Sequence, residues 1–299
     1  MKANENANIE NTFLKPIAKQ TKKEPTENEY FENGLYYCKK CHHPTRIVVP
    51  GCPDLMPTIC LCKQQEKANA EAAAKKNKND ERRKTAFDRE RSMRFEFTFA
   101  NDDKRNAKAS ELLKKYCDNF DEYKRSGVGY IIHSNQNGGG KTYLACAVAN
   151  ELIDKGKKVL VTDFLALRDR LFKPEAYKSG ASVFANKDDV IKHLLDYDLV
   201  VIDDLGVEQS TEFMLEVEYR VIDALTDALV PLILTTNYTL AEIKSTEEIN
   251  KRRVLDRILG SCALLSVDTP DGKSRRVEKC ADLTRQLASG IEKQGDSVV

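Results

Sequence analysis

The sequence predicts an α/β domain with a five-stranded parallel sheet, preceded by a small cysteine-rich module and a helical linker. Three observations support this. Apolar runs alternate with amphipathic stretches over the last two thirds of the chain, as expected for a parallel sheet covered by helices. A glycine-rich turn ending in Gly140, Lys141 and Thr142 follows the first of these runs, and two close cysteine pairs lie near the amino terminus.

The positions of the elements follow from hydrophobic periodicity. The apolar runs predict strands near 128–133, 157–162, 198–203, 231–235 and 262–267. Apolar residues at helical spacing predict helices near 141–155, 163–172, 187–195, 211–228 and 247–260. The segment 172–187 interrupts the second crossover with proline, glycine and small residues, which predicts a mobile loop.

Composition shifts divide the chain into five segments. They are a flexible segment at 1–33, the cysteine-rich module at 34–62, a helical linker at 63–94, the α/β domain at 95–280 and a tail at 281–299. The linker carries 11 Lys or Arg against 6 Asp or Glu. Such a basic helix either lies along phosphates or is simply solvated, and the sequence leaves both open.

The overall composition excludes several classes of protein. The net charge of +1 gives no argument for nucleic-acid binding by the whole chain. No apolar run is long enough for a bilayer, and residues 1–23 lack the apolar core of an export signal, so we expect a cytoplasmic location and no membrane partner. In that reducing compartment, the nine cysteines favour metal binding over disulfides.

The glycine-rich turn is typical of a phosphate-binding loop. Gly138, Gly139 and Gly140 would let backbone N–H groups converge on a phosphate, while Lys141 adds a charge and Thr142 a hydroxyl for Mg²⁺. The usual pattern is GxxxxGK[ST], and Asn135 stands at its first glycine. We expect Asn135 to serve there because asparagine reaches left-handed backbone angles readily. The alternative is an ordinary strand-to-helix turn.

Polar residues end two further apolar runs. Asp203 and Asp204 follow one run, where Asp203 could hold Mg²⁺ and Asp204 could orient or deprotonate the attacking water. Asn237 follows the next run and could hydrogen-bond a water near the γ-phosphate. The alternatives are helix-capping aspartates and an ordinary turn asparagine.

Four runs in this order resemble one family. GKTYLACAVANELI (140–153), IDDLG (202–206), TTN (235–237) and VLDRILGSC (254–262) look like the DnaC/DnaI-type replicative helicase loaders, including phage versions, which are AAA+ ATPases. The similarity covers about 95–276. It implies an AAA+ domain that binds ATP and Mg²⁺ and hydrolyses ATP.

The resemblance also implies roles for individual residues. The candidate nucleotide-binding residues are Asn135, Gly138, Gly139, Gly140, Lys141, Thr142, Tyr143 and Arg275. The implied catalytic residues are Lys141, Asp203, Asp204, Asn237 and Arg257, with Thr142 and Asp203 as magnesium ligands. Arg257 looks like the arginine that reaches into a neighbouring subunit's site, with Arg252 and Arg253 as rivals. Arg276 is the alternative to Arg275 as the residue that senses bound nucleotide.

The cysteine-rich module predicts a zinc site. Cys38 and Cys41 form CxxC, Cys60 and Cys62 form CxC, and four thiolates suit tetrahedral Zn²⁺. The binding energy of the ion can stabilise a module too small for a core of its own. A redox-active CxxC is the alternative, and the candidate substitutes for the fourth ligand are His42, His43 and Cys52.

These observations together predict an ATP-dependent loader of the replicative helicase. The resemblance implies that the zinc module grips a hexameric helicase and that the ATPase domains self-associate. The expected task is to place the helicase on single-stranded DNA, with Arg168, Arg170 and Lys173 as candidate strand contacts. Two alternatives stay open: a helper ATPase for a transposase, which shares the core motifs, and an adaptor that binds ATP without hydrolysing it.

Overall fold

The computed structural model describes residues 24–50, 52, 54–88, 92–135, 137–172, 178–179, 182–183, 187–206, 211–245, 249–268 and 274–295. Its contacts divide the chain into two compact units, residues 1–78 and residues 79–299. None of the helices in the described ranges is long and apolar enough to cross a membrane.

The first unit contains two small antiparallel hairpins. Strand β1 (Glu29–Glu32) pairs with β2 (Leu35–Cys38), and β3 (Arg46–Ile47) pairs with β4 (Met56–Pro57). Asn33 and Gly34 join the first hairpin with positive φ angles of 51° and 86°, as a tight two-residue turn requires. Ordered structure therefore begins before residue 34, where the sequence predicts the module to start. Residues 1–23 of the predicted flexible segment lie outside the described residues.

Helix α1 (Leu61–Ala86) corresponds to the predicted linker, but it ends eight residues earlier than the predicted 94. Residues 61–78 of this helix belong to the first unit and residues 79–86 to the second. Its last turns pack within the second unit, where Asn79 and Ala86 are buried and Phe87 forms a β-bridge with Val161. The strongly basic composition of this segment gave no sign that residues near its end are buried.

The second unit contains a short 3₁₀ helix (Ser92–Glu96) followed by the α/β domain. The strands are β5 (Gly129–His133), β6 (Val159–Thr162), β7 (Lys178–Ser179), β8 (Ser182–Val183), β9 (Leu199–Leu205), β10 (Leu232–Thr236) and β11 (Cys262–Ser266). The helices are α2 (Ala107–Asp118), α3 (Phe120–Ser126), α4 (Lys141–Asp154), α5 (Phe164–Phe172), α6 (Lys187–Leu195), α7 (Glu212–Asp227), α8 (Leu240–Ser245), α9 (Ile249–Ser261) and α10 (Arg275–Gly295).

The main sheet has the strand order β11-β5-β10-β9-β6, and every neighbouring pair is parallel. The predicted α/β class with a five-stranded parallel sheet is therefore confirmed. All five predicted strands and all five predicted helices are present, with ends within three residues of the prediction. The sequence missed helices α2, α3, α8 and α10, and the predicted tail from 281 continues α10 to Gly295.

Both faces of the sheet are buried. Val161, Val201 and Ile233 point to one side, where they pack in a core with α2 and α4. Their neighbours Val200 and Leu234 point to the other side, where the core includes residues of α5, α6, α7 and α9. Successive side chains of a strand point to opposite faces, and here both faces are buried. Each strand therefore appears in the sequence as a continuous apolar run.

The segment 172–187, predicted to be a mobile loop, contains the antiparallel pair β7 and β8. The other residues of that segment between α5 and α6 lie outside the described residues.

Candidate nucleotide site

The predicted site residues come from the carboxyl ends of neighbouring strands. The glycine-rich turn follows β5, Asp203 and Asp204 lie near the end of β9, and Asn237 follows β10. These three strands are adjacent in the sheet. Because parallel strands end at the same edge, their polar residues meet there, and ligands of open α/β sheets bind at this edge.

Asp203 lies at the centre of a network of polar side chains. Its Oδ1 accepts hydrogen bonds from the hydroxyls of Thr142 (2.9 Å) and Thr235 (2.7 Å). Its Oδ2 accepts one from Nη2 of Arg94 (2.7 Å). The oxygens of Thr142 and Asp203 are therefore adjacent, and such hard oxygen ligands fit Mg²⁺.

Asp204 has a different environment from Asp203. Its φ of 59° lies in the left-handed region, and its N–H donates to Oγ1 of Thr235 at 2.8 Å. Burial and the neighbouring charge of Asp203 raise the pKa of Asp204 above its usual value. A carboxylate with a raised pKa beside a phosphate-binding loop is suited to accept a proton from water.

The phosphate-binding loop is built on glycines with positive φ. Gly138 and Gly140 have φ angles of 81° and 101°, which other residues rarely adopt. A Cβ on Gly140 would lie 2.1 Å from Nη1 of Arg275, so any other residue there would also displace that guanidinium. Helix α4 begins directly after it, at Lys141, which is 6% exposed. Burial lowers the pKa of Lys141, whereas the charge of Asp204 acts in the opposite direction.

Asn135 serves the loop in a way that the sequence did not predict. It is not among the described non-glycine residues with positive φ, so the expectation of a left-handed asparagine is wrong. Instead, its N–H and its Nδ2 both donate to the carboxylate of Asp268, at 2.7 and 3.3 Å. Ser134 and Ser266 donate to the same carboxylate, each at 2.8 Å. Asp268 thus fixes the start of the loop.

A cavity of about 910 Å³ lies over this loop. Its lining includes predicted residues from the loop and its surroundings: Gly138, Gly139, Gly140, Lys141, Thr142, Tyr143, Asp204, Asn237 and Arg275. It also includes Met93, Arg94, Phe97 and Arg276, of which only Arg276 is among the residues predicted from the sequence. The first three precede the α/β motifs in the chain, and no local pattern marks them.

The two predicted arginines lie in different places. Arg275 packs on the loop and pairs with Asp103 at 2.9 Å. Arg257 is not among the residues that line the cavity. It lies on α9, partly exposed, and pairs with Asp223 (2.8 Å) and Asp227 (3.4 Å) of α7. The structure therefore does not bring Arg257 to the site of its own chain.

The four predicted zinc ligands cluster within the first unit. Sγ atoms of Cys38, Cys41, Cys60 and Cys62 all lie within 4.8 Å of one another. The sulfurs of a tetrahedral zinc site would be about 3.8 Å apart, so this set fits the ion. Hydrogen bonding to Cys60, followed by burial, raises the pKa of Cys62 to about 12. Backbone hydrogen bonds instead lower the pKa of Cys38, and that of Cys41 to about 6. Four thiolates this close would repel one another, and a bound cation would offset that repulsion.

The three candidate substitutes lie outside this cluster. Cys52 is exposed, and Nδ1 of His42 pairs with the hydroxyl of Tyr30 at 3.1 Å. Nδ1 of His43 pairs with the carbonyl oxygen of Cys41 at 2.9 Å.

The candidate DNA contacts differ in their surroundings. Arg170 is 9% exposed and forms an ion pair with Asp88, so it is a buried structural residue and the prediction of a strand contact there is wrong. Arg168 is half-buried and pairs with Asp169 at 2.8 Å. Lys173 lies outside the described residues.

Comparison with known proteins decides the family. The model of the family described as IstB-like ATP binding protein matches residues 64–281, which is most of the chain. The chain belongs to this family. The nucleotide for which the phosphate-binding loop is suited is therefore ATP.

The curated relatives include two proteins named replicative helicase loader DnaC. The protein of Escherichia coli (strain K12) is 28% identical over 153 residues, which are 50% of this chain and 56% of that protein. The protein of Buchnera aphidicola subsp. Schizaphis graminum is 24% identical over 162 residues, or 54% of this chain and 61% of that protein. The chain thus spans little more than half the length of the curated relatives it matches.

Similar solved structures include the DnaC helicase loader, with 23% identity and a TM-score of 0.44 over 55% of this chain and 91% of that one. DnaI has 18% identity and a TM-score of 0.46 over 58% of this chain and 93% of that one.

Proposed function

We propose that this protein is an ATP-controlled loader of the replicative DNA helicase. The observation that carries the proposal is the Asp203 network beside Lys141, because it combines a phosphate-binding loop with oxygen ligands for Mg²⁺. The curated relatives named as helicase loaders support the choice of task. A loader of this kind would act in the cytoplasm, as expected from the sequence.

Each of the site residues would have a distinct role in ATP hydrolysis. Backbone N–H groups of the loop and Lys141 would bind the phosphates, and Thr142 and Asp203 would hold Mg²⁺. The ion would neutralise charge on the phosphates when it is bound. Asp204 would accept a proton from the attacking water, and Asn237 would orient that water.

Arg257 would act on the site of a neighbouring subunit. It lies partly exposed on α9, where its guanidinium pairs with Asp223 and Asp227. An arginine supplied by a neighbour stabilises charge on the transferred phosphoryl group, so hydrolysis would depend on self-association. Arg275, at the cavity of its own chain, would respond to bound nucleotide.

The zinc module would bind the hexameric helicase, and the ATPase domains would contact single-stranded DNA. In this scheme ATP binding assembles neighbouring loader subunits, and hydrolysis releases them. The module has its own ordered hairpins and its own cysteine cluster, as a separate binding unit needs.

The test is capture of the purified replicative helicase of the native host, with and without ATP. We expect an ATP-dependent complex with the wild-type protein. Cys60→Ser should abolish it, whereas Cys52→Ser should retain it, because Cys52 is exposed and outside the cluster. No complex with the wild-type protein in the presence of ATP would refute the loader function.

A transposase-helper ATPase is the second candidate, favoured by the match to the IstB-like family. Affinity capture from host extract separates the two, because a helper would recover a transposase instead of a helicase. Steady-state phosphate release that is lost in Lys141→Ala and Arg257→Ala would exclude an adaptor that binds ATP without hydrolysing it.

A further inference from the structure

Arg94 contacts the carboxylate that is suited to hold magnesium. It belongs to the short 3₁₀ helix Ser92–Glu96, and its side chain lines the cavity over the phosphate-binding loop. Nη2 of Arg94 lies 2.7 Å from Oδ2 of Asp203, and the two side chains are 14% and 5% exposed. Removing either partner of a charge pair this well shielded from water would leave the other as an uncompensated buried charge.

The arrangement leaves Asp203 little capacity for a second cation. Its Oδ1 already accepts hydrogen bonds from the hydroxyls of Thr142 and Thr235, and the guanidinium takes its Oδ2. Mg²⁺ at the same carboxylate would lie close to the guanidinium, and two cations at that distance in a buried site repel each other. The arginine and the ion therefore compete for one acid.

The backbone of Arg94 is fixed from the other side by helix α4. Nδ2 of Asn150 donates to the carbonyl oxygens of Arg94 and Phe97, both at 2.9 Å. Oδ1 of the same amide accepts a hydrogen bond from Nε of Arg83, near the end of α1, at 3.1 Å. Asn150 is fully buried, so the end of α1 and the segment that carries Arg94 share one anchor.

We propose that Arg94 is a built-in counter-ion for Asp203 and that the Mg²⁺ of bound ATP displaces it. The arginine keeps the buried carboxylate neutralised when no metal is bound, and it makes productive binding depend on the metal–nucleotide pair. Arg94 is a positioning residue in this scheme, since it acts through Asp203. The inference rests on ATP binding at this site and is independent of helicase loading.

The first test is calorimetric titration of ATP with excess Mg²⁺ and again with EDTA, for wild-type protein and Arg94→Gln. The readout is the ratio of the dissociation constant in EDTA to that in Mg²⁺. Without the competing guanidinium, we expect the ratio to rise about tenfold, the effect of losing one charge-assisted hydrogen bond. Arg285→Gln removes an exposed charge on α10 and should leave the ratio at the wild-type value.

A ratio that is unchanged in Arg94→Gln overturns the proposal, because an arginine that binds phosphate directly would weaken ATP binding equally in both titrations. If Arg94→Gln does not fold, Arg94→Lys replaces it. A lysine lacks the planar fork of donors and holds the carboxylate less firmly, so its ratio should still rise, by about threefold. An unchanged ratio in the lysine variant overturns the proposal equally.

The second test needs no nucleotide, so it separates failure of this proposal from failure of the proposed function. Thermal unfolding is followed with and without Mg²⁺ alone. We expect Mg²⁺ to raise the melting temperature of Arg94→Gln more than that of wild-type protein, because the variant exposes a buried carboxylate to the ion. An equal rise in both proteins would contradict competition between Arg94 and the metal.

Discussion

The carboxylate of Asp268 joins the end of β11 to the start of the phosphate-binding loop. Burial acts to raise its pKa, but hydrogen bonds from Ser134, Ser266 and the Asn135 N–H outweigh burial and lower it below the usual value. A carboxylate with a lowered pKa stabilises the fold above its unfolded pKa and ceases to do so as the pH falls through the folded pKa.

We therefore expect Asp268→Asn to lower the free energy of unfolding at pH 7 by about 1–3 kcal/mol, the value of hydrogen bonds to a charged group. The difference from wild type should begin to shrink below the reference pKa of 3.8 and vanish below the folded pKa. Denaturant unfolding at several pH values measures this. Asp256→Asn, at an exposed position of α9, is the matched control. A difference that persists at the lowest pH would contradict the role of the ionised carboxylate.

Burial and the charge of Asp203 raise the pKa of Asp204, and among the described residues Asp204, unlike Asp203, forms no ion pair with an arginine. We expect Asp204→Asn to lower kcat for ATP hydrolysis by about 10²- to 10⁴-fold, the usual effect of removing a general base. ATP affinity should change little. As the pH is lowered, the rate of ATP hydrolysis by the wild-type protein should fall at a pH above the usual pKa of aspartate. The reason is that burial and the charge of Asp203 both favour the protonated form of Asp204. Hydrolysis at the wild-type rate in the variant would remove Asp204 from this role.

Sequence and structure agree best for residues whose role is local. Lys141 and Thr142 follow consecutive glycines, and Asp203 ends an apolar run, so a short window reveals each of them. Arg94 is different because it lies 109 residues before its partner Asp203. Asp268 lies 133 residues after Asn135. Only the folded sheet brings these pairs together, so neither contact could be predicted from a pattern.

At the scale of elements, Asn150 of α4 links two segments that precede the sheet. Its amide binds the carbonyl oxygens of Arg94 and Phe97 and the side chain of Arg83. Replacement by alanine removes one hydrogen-bond partner from each of these three groups. The apolar runs predicted the strands well because both faces of the sheet are buried, but they carried no information on this polar link.

We expect Asn150→Ala to lower the free energy of unfolding by about 2–4 kcal/mol, since three hydrogen bonds around a fully buried side chain are lost. Asn77→Ala, at an exposed position of α1, should change it by less than about 0.5 kcal/mol. Chemical denaturation measures both. Equal stability of the two variants would show that the buried amide is not an anchor.

The whole molecule combines a unit whose cysteine cluster could hold a metal ion with a unit that carries the candidate nucleotide site. The described part of the first unit has two short hairpins, the exposed first turns of α1 and few buried residues, so a bound ion would supply much of its stability. The second has two large apolar cores and needs no metal for its fold.

The purified protein should therefore contain zinc, and a chelator should unfold the first unit while the second stays folded. Metal analysis measures the zinc content, and limited proteolysis detects the unfolding of the first unit. Cys60→Ser should lose the zinc, whereas Cys52→Ser should retain it. Zinc content that is equal in the two variants would contradict the assigned ligands.

The proposed role of this protein requires that the loop before Lys141 binds ATP together with Asp203. Calorimetric titration of ATP in Mg²⁺ tests this directly, with Lys141→Ala compared with the exposed control Lys108→Ala. Loss of a charge-assisted contact with phosphate should weaken binding by about tenfold or more in Lys141→Ala, and the control should bind like wild type. Equal affinity of the two variants for ATP would contradict the account.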